Sequence, residues 1–280
     1  MSKGTLLNFF DEKVNNFKNS PHAALVADSH APLGKHGCEA CHGPGFIHRA
    51  DNNAEVISYT KMDPKESAAA CLRCHEKTLS ESHWKKTAHA DAGLTCVSCH
   101  QIHTDSENPL AAKTAQLKDT RSVVFAAKVE PNNLMLKAPE NVLCGQCHAG
   151  EVAKFRLNTH HPIPEGRMNC SDCHSVHPTK HSTMDAKQSK DACVKCHSEY
   201  AGPFVYEHEP VAGNTGGGCL ECHNPHGSSN PSMLNSFSRG LCAQCHSDKL
   251  SNHHPGLSCW SAGCHVSTHG SNTDPTFRQP

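Results

Sequence analysis

The sequence has few of the residues that usually build a protein interior. Aromatic residues account for 5% of the 280 positions and the whole apolar set for 36%, and both fractions are low for a chain of this length. A chain of this size must still bury most of its surface when it folds. We therefore expect something other than apolar side chains to fill the interior.

The sequence also lacks any apolar run long enough to cross a membrane or to direct export. No stretch of 18 apolar residues occurs, so no transmembrane span is predicted. The opening MSKGTLLNFF has no long apolar segment of the kind found in secretory signals. Because the cofactor predicted below is attached outside the cytoplasm, we expect an export signal that the given chain does not include.

Cysteine and histidine, by contrast, are abundant, at 18 and 25 residues. Sixteen cysteines form C-x-x-C-H motifs and the last two form a C-x4-C-H motif, a pattern typical of covalent c-type haem attachment. A zinc site or a redox dithiol would not need a histidine after every pair. We predict nine c-type haems, bound covalently by Cys38, Cys41, Cys71, Cys74, Cys96, Cys99, Cys144, Cys147, Cys170, Cys173, Cys193, Cys196, Cys219, Cys222, Cys242, Cys245, Cys259 and Cys264.

The histidine that ends each motif is the predicted proximal iron ligand. Nine porphyrins would supply the missing interior, so we predict a multihaem cytochrome c that is mostly coil with short α-helices and little β-structure. The haems would form the core of an extended stack of repeats. The proximal ligands are His42, His75, His100, His148, His174, His197, His223, His246 and His265.

A two-haem unit repeats along the chain. Cys144, Cys193 and Cys242 follow one another at intervals of 49 residues, and a fixed period predicts stacked units that pack mainly on their neighbours. The predicted divisions are an N-terminal segment at 1–29, a half unit with haem 1 at 30–60, two-haem units at 61–110, 141–189, 190–238 and 239–280, the last with a tail, and a hairpin or long loop inserted at 111–140.

Histidines outside the motifs recur in each unit, one before and one after its second motif. Two irons per unit need two further ligands, so bis-histidine ligation is predicted throughout. The predicted distal ligands are His30, His48, His89, His103, His160, His177, His208, His226, His253 and His269. Haem 1 needs only one of His30 and His48, and the choice is left open. The histidines expected not to bind iron are His22, His36, His83, His161, His181 and His254. Of these, His83, His161 and His254 lie near predicted ligands and are the alternatives to them.

Three longer strings, HHPIPEGRMNCSDCHSVH, CLECHNPHG and CWSAGCHVSTHGSN, resemble the MtrA/DmsE family of decahaem cytochromes, and the likeness covers roughly residues 30–270. The resemblance implies a periplasm-facing electron carrier with bis-histidine haems in a near-linear chain. It also implies redox protein partners, among them an outer-membrane β-barrel porin and an extracellular cytochrome. The sequence departs from the family in having nine motifs, because the first unit lacks one.

The leading hypothesis is electron transfer without bond chemistry, carrying respiratory electrons across or beyond the outer membrane to an extracellular acceptor. Self-assembly into an extracellular filament and a periplasmic shuttle are alternatives. A multihaem reductase is disfavoured, since every motif ends in histidine and spare histidines are plentiful. The formal charge of −1 becomes strongly negative once haem propionates are added, which disfavours nucleic-acid binding.

Overall fold

The computed structural model describes residues 14–18, 20–23, 37–43, 57–59, 61–103, 135–177, 186–213, 217–252, 256–260 and 262–279. The predicted ligands His30, His48 and His253 lie outside these ranges, as does most of the predicted insertion. Within them the chain is mostly coil and short helices with a single two-stranded sheet. The predicted fold class is therefore confirmed.

The helices are short, and most of them carry or adjoin a cysteine motif. The α-helices are Glu39–His42, Pro64–His75, Glu81–Trp84, Ala88–Asp91, Cys96–Cys99, Glu140–Gly145, Ala149–Lys154, Ala186–Val194, Glu209–Ala212, Arg239–Cys242 and Lys249–Asn252. The 3-10 turns are Cys170–Asp172, Ser198–Tyr200, Gly218–Glu221 and Pro231–Met233. Of the helices that the structure describes, none has the length and apolarity needed to cross a bilayer.

The chain forms two compact units, Met1–Leu143 with Val176–Lys180, and Cys144–Ser175 with His181–Pro280. We refer to them as unit 1 and unit 2. This division does not test the predicted boundaries, which stay predictions.

The longest described helix shows how local sequence places a motif in unit 1. The Asp63 side chain caps the helix by accepting from the Lys65 amide at 2.9 Å, and proline in the first turn suits a helix start. Ala68 and Leu72, four residues apart, face the buried Trp84. The helix ends in the second motif, whose cysteines and His75 lie on its more exposed side.

In unit 2 two short backbone pairings bring distant parts of the chain together. Thr159 pairs with Ser228 through hydrogen bonds of 3.1 and 2.9 Å. The strands Tyr206–Glu207 and Gly270–Ser271 pair in the same antiparallel sense. Because each pairing lies within two residues of histidines on both partners, it sets which histidines lie side by side.

Two glycines allow these close approaches. Gly227 has φ +140, and a Cβ there would overlap the Lys154 carbonyl oxygen. Gly270 has φ +153, and a Cβ there would overlap the Phe204 ring. Each glycine directly follows a predicted distal histidine, so the HG pairs at 226–227 and 269–270 reflect a packing requirement.

Candidate functional site: paired histidines and neighbouring cysteines

Each described motif folds as one tight turn. In seven C-x-x-C-H motifs the histidine amide donates to the carbonyl of the first cysteine at 2.8–3.0 Å, as in His42 to Cys38 and His246 to Cys242. In the stretched motif the His265 amide still donates to the Cys259 carbonyl, at 3.0 Å. The two extra residues are therefore accommodated between the cysteines, and the relation of first cysteine to histidine is kept.

Seven motif histidines each lie opposite a second histidine that belongs to no motif. The distances between ring centres are 5.8–6.2 Å. In unit 1 the pairs are His42–His103, His75–His22 and His100–His177. In unit 2 they are His174–His226, His197–His161, His223–His269 and His246–His208.

This separation fits one iron between the two rings. Imidazole nitrogens bind first-row metals at about 2 Å, and the ring centre lies about 1 Å behind the nitrogen, so rings on opposite sides of one iron have centres about 6 Å apart. Aromatic rings without a metal also pair at about 4.5–7 Å. Ordinary stacking, however, would not join one motif histidine with one non-motif histidine in every pair.

The same local construction holds the non-motif histidines in two successive repeats. Beside the Thr159–Ser228 pairing, Nδ1 of His161 lies 2.7 Å from the Pro225 carbonyl oxygen. Beside the two-stranded sheet, Nδ1 of His208 lies 2.9 Å from the Thr268 carbonyl oxygen. An Nδ1–H bonded to a carbonyl leaves Nε2 free for a metal, which is the usual support of a metal-binding histidine.

The pairs link different repeats in a regular register. We number the motifs 1–9 in chain order. A histidine that follows an odd-numbered motif faces the histidine of the motif two places earlier, as His226 of motif 7 faces His174 of motif 5 and His269 of motif 9 faces His223 of motif 7. A histidine upstream of an odd-numbered motif faces the histidine of the motif after that one. For example, His208 lies upstream of motif 7 and faces His246 of motif 8. The sequence alone supplied the candidates but not this register.

The structure differs from the sequence prediction at two positions. Of the adjacent histidines His160 and His161, it is His161 that faces His197; the ring of His160 lies instead against the Leu157 carbonyl at 2.7 Å and Glu165 at 3.3 Å. The reason is the Thr159 pairing, which turns His161 toward Pro225.

The second difference is His22, which was expected not to bind iron. Its ring centre lies 5.9 Å from that of His75. Its Nδ1 is buried and has no hydrogen-bond partner among the described residues. A buried imidazole nitrogen needs a partner, so this position also suits a metal-binding role.

The remaining predicted ligands are placed as follows. His89 lies half-buried on helix Ala88–Asp91, which Thr87 caps. Among the proximal histidines, His148 precedes helix Ala149–Lys154, and Nδ1 of His265 lies 2.7 Å from the Thr276 carbonyl oxygen. Similar carbonyl contacts orient His42 and His223, at 2.8 and 2.7 Å. All these assignments stay predictions.

Burial favours the neutral, metal-binding form of several paired rings. Desolvation by burial lowers the pKa of five of these rings, those of His22, His174, His177, His208 and His269. Ionised imidazole cannot bind a metal through a protonated nitrogen. The protein environment therefore presents these rings in the protonation state that iron ligation requires.

Cysteines of consecutive motifs are neighbours among motifs 1–3 and among motifs 5–9, numbered in chain order. The Cys71 thiol is hydrogen-bonded to Cys96, which lowers the pKa of Cys96 to about 7, and a Cys193 bond lowers that of Cys219 to about 6. These sulfurs stand for the thioethers of the haem-loaded protein, which do not titrate, so the contacts mark proximity. The first-cysteine neighbours are Cys71–Cys96, Cys193–Cys219 and Cys242–Cys259, and the second-cysteine neighbours are Cys41–Cys74, Cys173–Cys196 and Cys222–Cys245.

Comparison with known proteins agrees with this site. The family model for the doubled CXXCH motif matches residues 160–202 and 208–251, and the model for cytochrome c-type protein NrfB-like matches residues 38–120. The multiheme cytochrome MtrA of Shewanella baltica is 30% identical over 207 residues, which cover 72% of this chain and 54% of MtrA. The chain is a multihaem c-type cytochrome, and over this length it is similar to MtrA. The match therefore spans about half the length of that relative.

Two further relatives carry the same cofactor class in their names. The C-type polyheme cytochrome OmcB of Geobacter sulfurreducens is 24% identical over 172 residues, covering 53% of this chain and 22% of OmcB. Cytochrome c-type protein NrfB of Haemophilus influenzae is 23% identical over 181 residues, covering 55% of this chain and 77% of NrfB. The predicted resemblance is confirmed, and with it covalent c-type haem and a role in electron transport.

Proposed function

We propose that the chain carries electrons through nine covalently bound haems, each held between two histidines, and acts on no substrate of its own. The predicted cysteines and motif histidines would hold the haems. The paired histidines of the site would supply the second ligand to seven of them. Bound haem supplies a one-electron ferric/ferrous couple, and bis-histidine ligation keeps its potential lower than methionine ligation would.

The order of the cysteine contacts carries this proposal. In motif 2, Cys74 lies near Cys41 of motif 1, whereas Cys71 is hydrogen-bonded to Cys96 of motif 3 and also lies near Cys41. In unit 2, motif 7 faces motif 6 through Cys219 and motif 8 through Cys222. Thioether sulfurs would lie at the porphyrin edge, so these neighbours would bring the edges of successive haems close together among motifs 1–3 and among motifs 5–9. Short edge-to-edge steps along the chain are what electron hopping requires.

The histidine pairs support transfer rather than catalysis. A reductase needs one iron with an open coordination position, whereas each of the seven pairs described above would supply two histidine ligands to its iron. The stretched motif also keeps the usual bond from the His265 amide to the Cys259 carbonyl, at 3.0 Å. We therefore propose that the protein is not an enzyme.

For the pathway, we propose transfer of respiratory electrons from a periplasmic donor toward an extracellular acceptor, at or across the outer membrane. A β-barrel porin and an extracellular cytochrome are the proposed partners. The support is the resemblance of the longer sequence strings together with the similarity to MtrA.

Two experiments test these proposals separately. The chemically reduced holoprotein should bind no carbon monoxide and should not turn over nitrite, hydroxylamine or tetrathionate. Carbon monoxide binding by the unmodified protein would contradict full bis-histidine ligation. For the pathway, the native protein extracted in detergent should co-purify with a β-barrel protein; recovery only as a free monomer would contradict the conduit.

A further inference from the structure

One repeat position carries different side chains in two successive repeats, and both contact a trailing histidine. Glu151 and Tyr200 are 49 residues apart, each three residues after a motif histidine. Glu151 contacts His226, and Tyr200 contacts His269. The two trailing histidines face His174 and His223, so this position lies behind the second ligand of two otherwise equivalent haem sites.

Glu151 contacts its histidine through a charged hydrogen bond. Its Oε2 lies 2.6 Å from Nδ1 of His226. With Nε2 directed to a metal, Nδ1 carries the proton and donates it to the carboxylate. The backbone supports this geometry, because Gly227 lets the chain pass directly against the Lys154 carbonyl at the end of the same helix.

Tyr200 contacts its histidine differently. The Tyr200 and His269 ring centres are 4.2 Å apart, with the planes tilted by 34°. A phenol ring stacked on an imidazole brings no formal charge to it. The two trailing histidines thus share their backbone setting, next to a glycine and a chain pairing. They differ in how a carboxylate acts on them, since Glu151 is hydrogen-bonded to His226 whereas Glu199 acts on His269 through space.

We propose that Glu151 tunes the haem chain, by lowering the reduction potential of the haem between His174 and His226 relative to that of the haem between His223 and His269. This inference rests on the proposed bis-histidine ligation. Glu151 acts through His226 and is a positioning and tuning residue, not a ligand.

The physical reason is the basicity of the ligand. A carboxylate that accepts the Nδ1 proton makes the imidazole a stronger electron donor through Nε2. A stronger donor stabilises the ferric iron more than the ferrous iron, and so lowers the potential. Because the Glu151 side chain is 42% exposed and that of His226 26%, solvent screening reduces the purely Coulombic part of this effect.

Lys154 opposes the tuning. Its Nζ lies 2.8 Å and 2.9 Å from the two carboxylate oxygens of Glu151. This ammonium group, with His226 acting in the same direction, holds the pKa of Glu151 below its usual range. Glu151 is therefore ionised at neutral pH, but its charge is partly offset by Lys154.

The test is a potentiometric titration of the full holoprotein, followed by EPR, on four variants. His226→Met identifies the transition of this haem, since a methionine ligand raises its potential. Glu151→Gln keeps an acceptor for Nδ1 but removes the charge, and should move that same transition to a more positive potential. Lys154→Met should move it to a more negative potential.

Glu199→Gln is the matched control, because Oε1 of Glu199 lies 3.8 Å from Nδ1 of His197, beyond hydrogen-bond distance. Glu199→Gln should change the reduction potential of the haem bound through His197 by less than Glu151→Gln changes that of the haem bound through His226. An equal or larger shift for the control, or shifts of the same sign for Glu151→Gln and Lys154→Met, would overturn the inference. If His226→Met moves no transition, the proposed ligation itself fails; if it moves one and Glu151→Gln leaves that one in place, only the tuning fails.

Discussion

The adjacent residues His160 and His161 offer a sharp test of the ligand assignment. Replacing His161 with alanine removes the ring whose centre lies 6.2 Å from that of His197. Replacing His160 removes a ring held only by Leu157 and Glu165. Each substitution loses a 2.7 Å hydrogen bond to a carbonyl, that of His161 to Pro225 and that of His160 to Leu157, worth about 1 kcal/mol in either case. His160→Ala also loses the 3.3 Å contact with the exposed Glu165, so the two variants differ mainly in ligation.

The expected result is one carbon monoxide bound per chain in reduced His161→Ala protein and none in His160→Ala protein. An optical titration of the dithionite-reduced holoproteins measures this stoichiometry, and thermal melts check that both variants fold. The double variant should behave like His161→Ala. Carbon monoxide binding by His160→Ala alone would refute the assignment and restore the prediction made from sequence.

Three further predictions follow from the fold. His22→Ala should free one coordination position opposite His75 and give one carbon monoxide per chain by the same titration, whereas His83→Ala should give none; the reverse would exclude His22 as a ligand. Gly227→Ala should destabilise unit 2 by about 1–3 kcal/mol in chemical denaturation, because of its positive φ and the Lys154 carbonyl; an unchanged midpoint would contradict the close approach. Trp84→Ala should cost about 3–5 kcal/mol, measured in the same way, since Trp84 packs on Ala68 and Leu72; a cost below about 1 kcal/mol would mean that this cluster does not form the core.

Local spacing made the covalent sites readable from the sequence. Two cysteines and the next histidine fit on one turn, so each motif carries its own geometry, and the low apolar content predicted a chain of coil and short helices. The same reasoning could not choose between His160 and His161. The prediction placed the ligand at His160, whereas the Thr159 pairing with a segment 69 residues away brings His161 opposite His197.

The pairing of each histidine with its motif could not be predicted from the sequence either, because it too depends on contacts between distant segments. Which histidine faces which motif depends on backbone pairings across repeats, such as Tyr206 with Ser271. His22 gave no repeat signal either, since it lies in the N-terminal segment at 1–29, before the first repeat. The glycines after His226 and His269 were a usable signal, because an HG pair at a repeated position marks a close backbone approach.

The claim on which the account depends is that paired histidines saturate every iron along the chain. Quantitative EPR of the fully oxidised holoprotein tests it most directly, because low-spin and high-spin ferric haem give separate signals that can be integrated against protein concentration. The account predicts nine low-spin centres per chain, one for each cysteine motif, and no high-spin ferric signal. Fewer low-spin centres, or a high-spin signal equivalent to one haem or more, would contradict it.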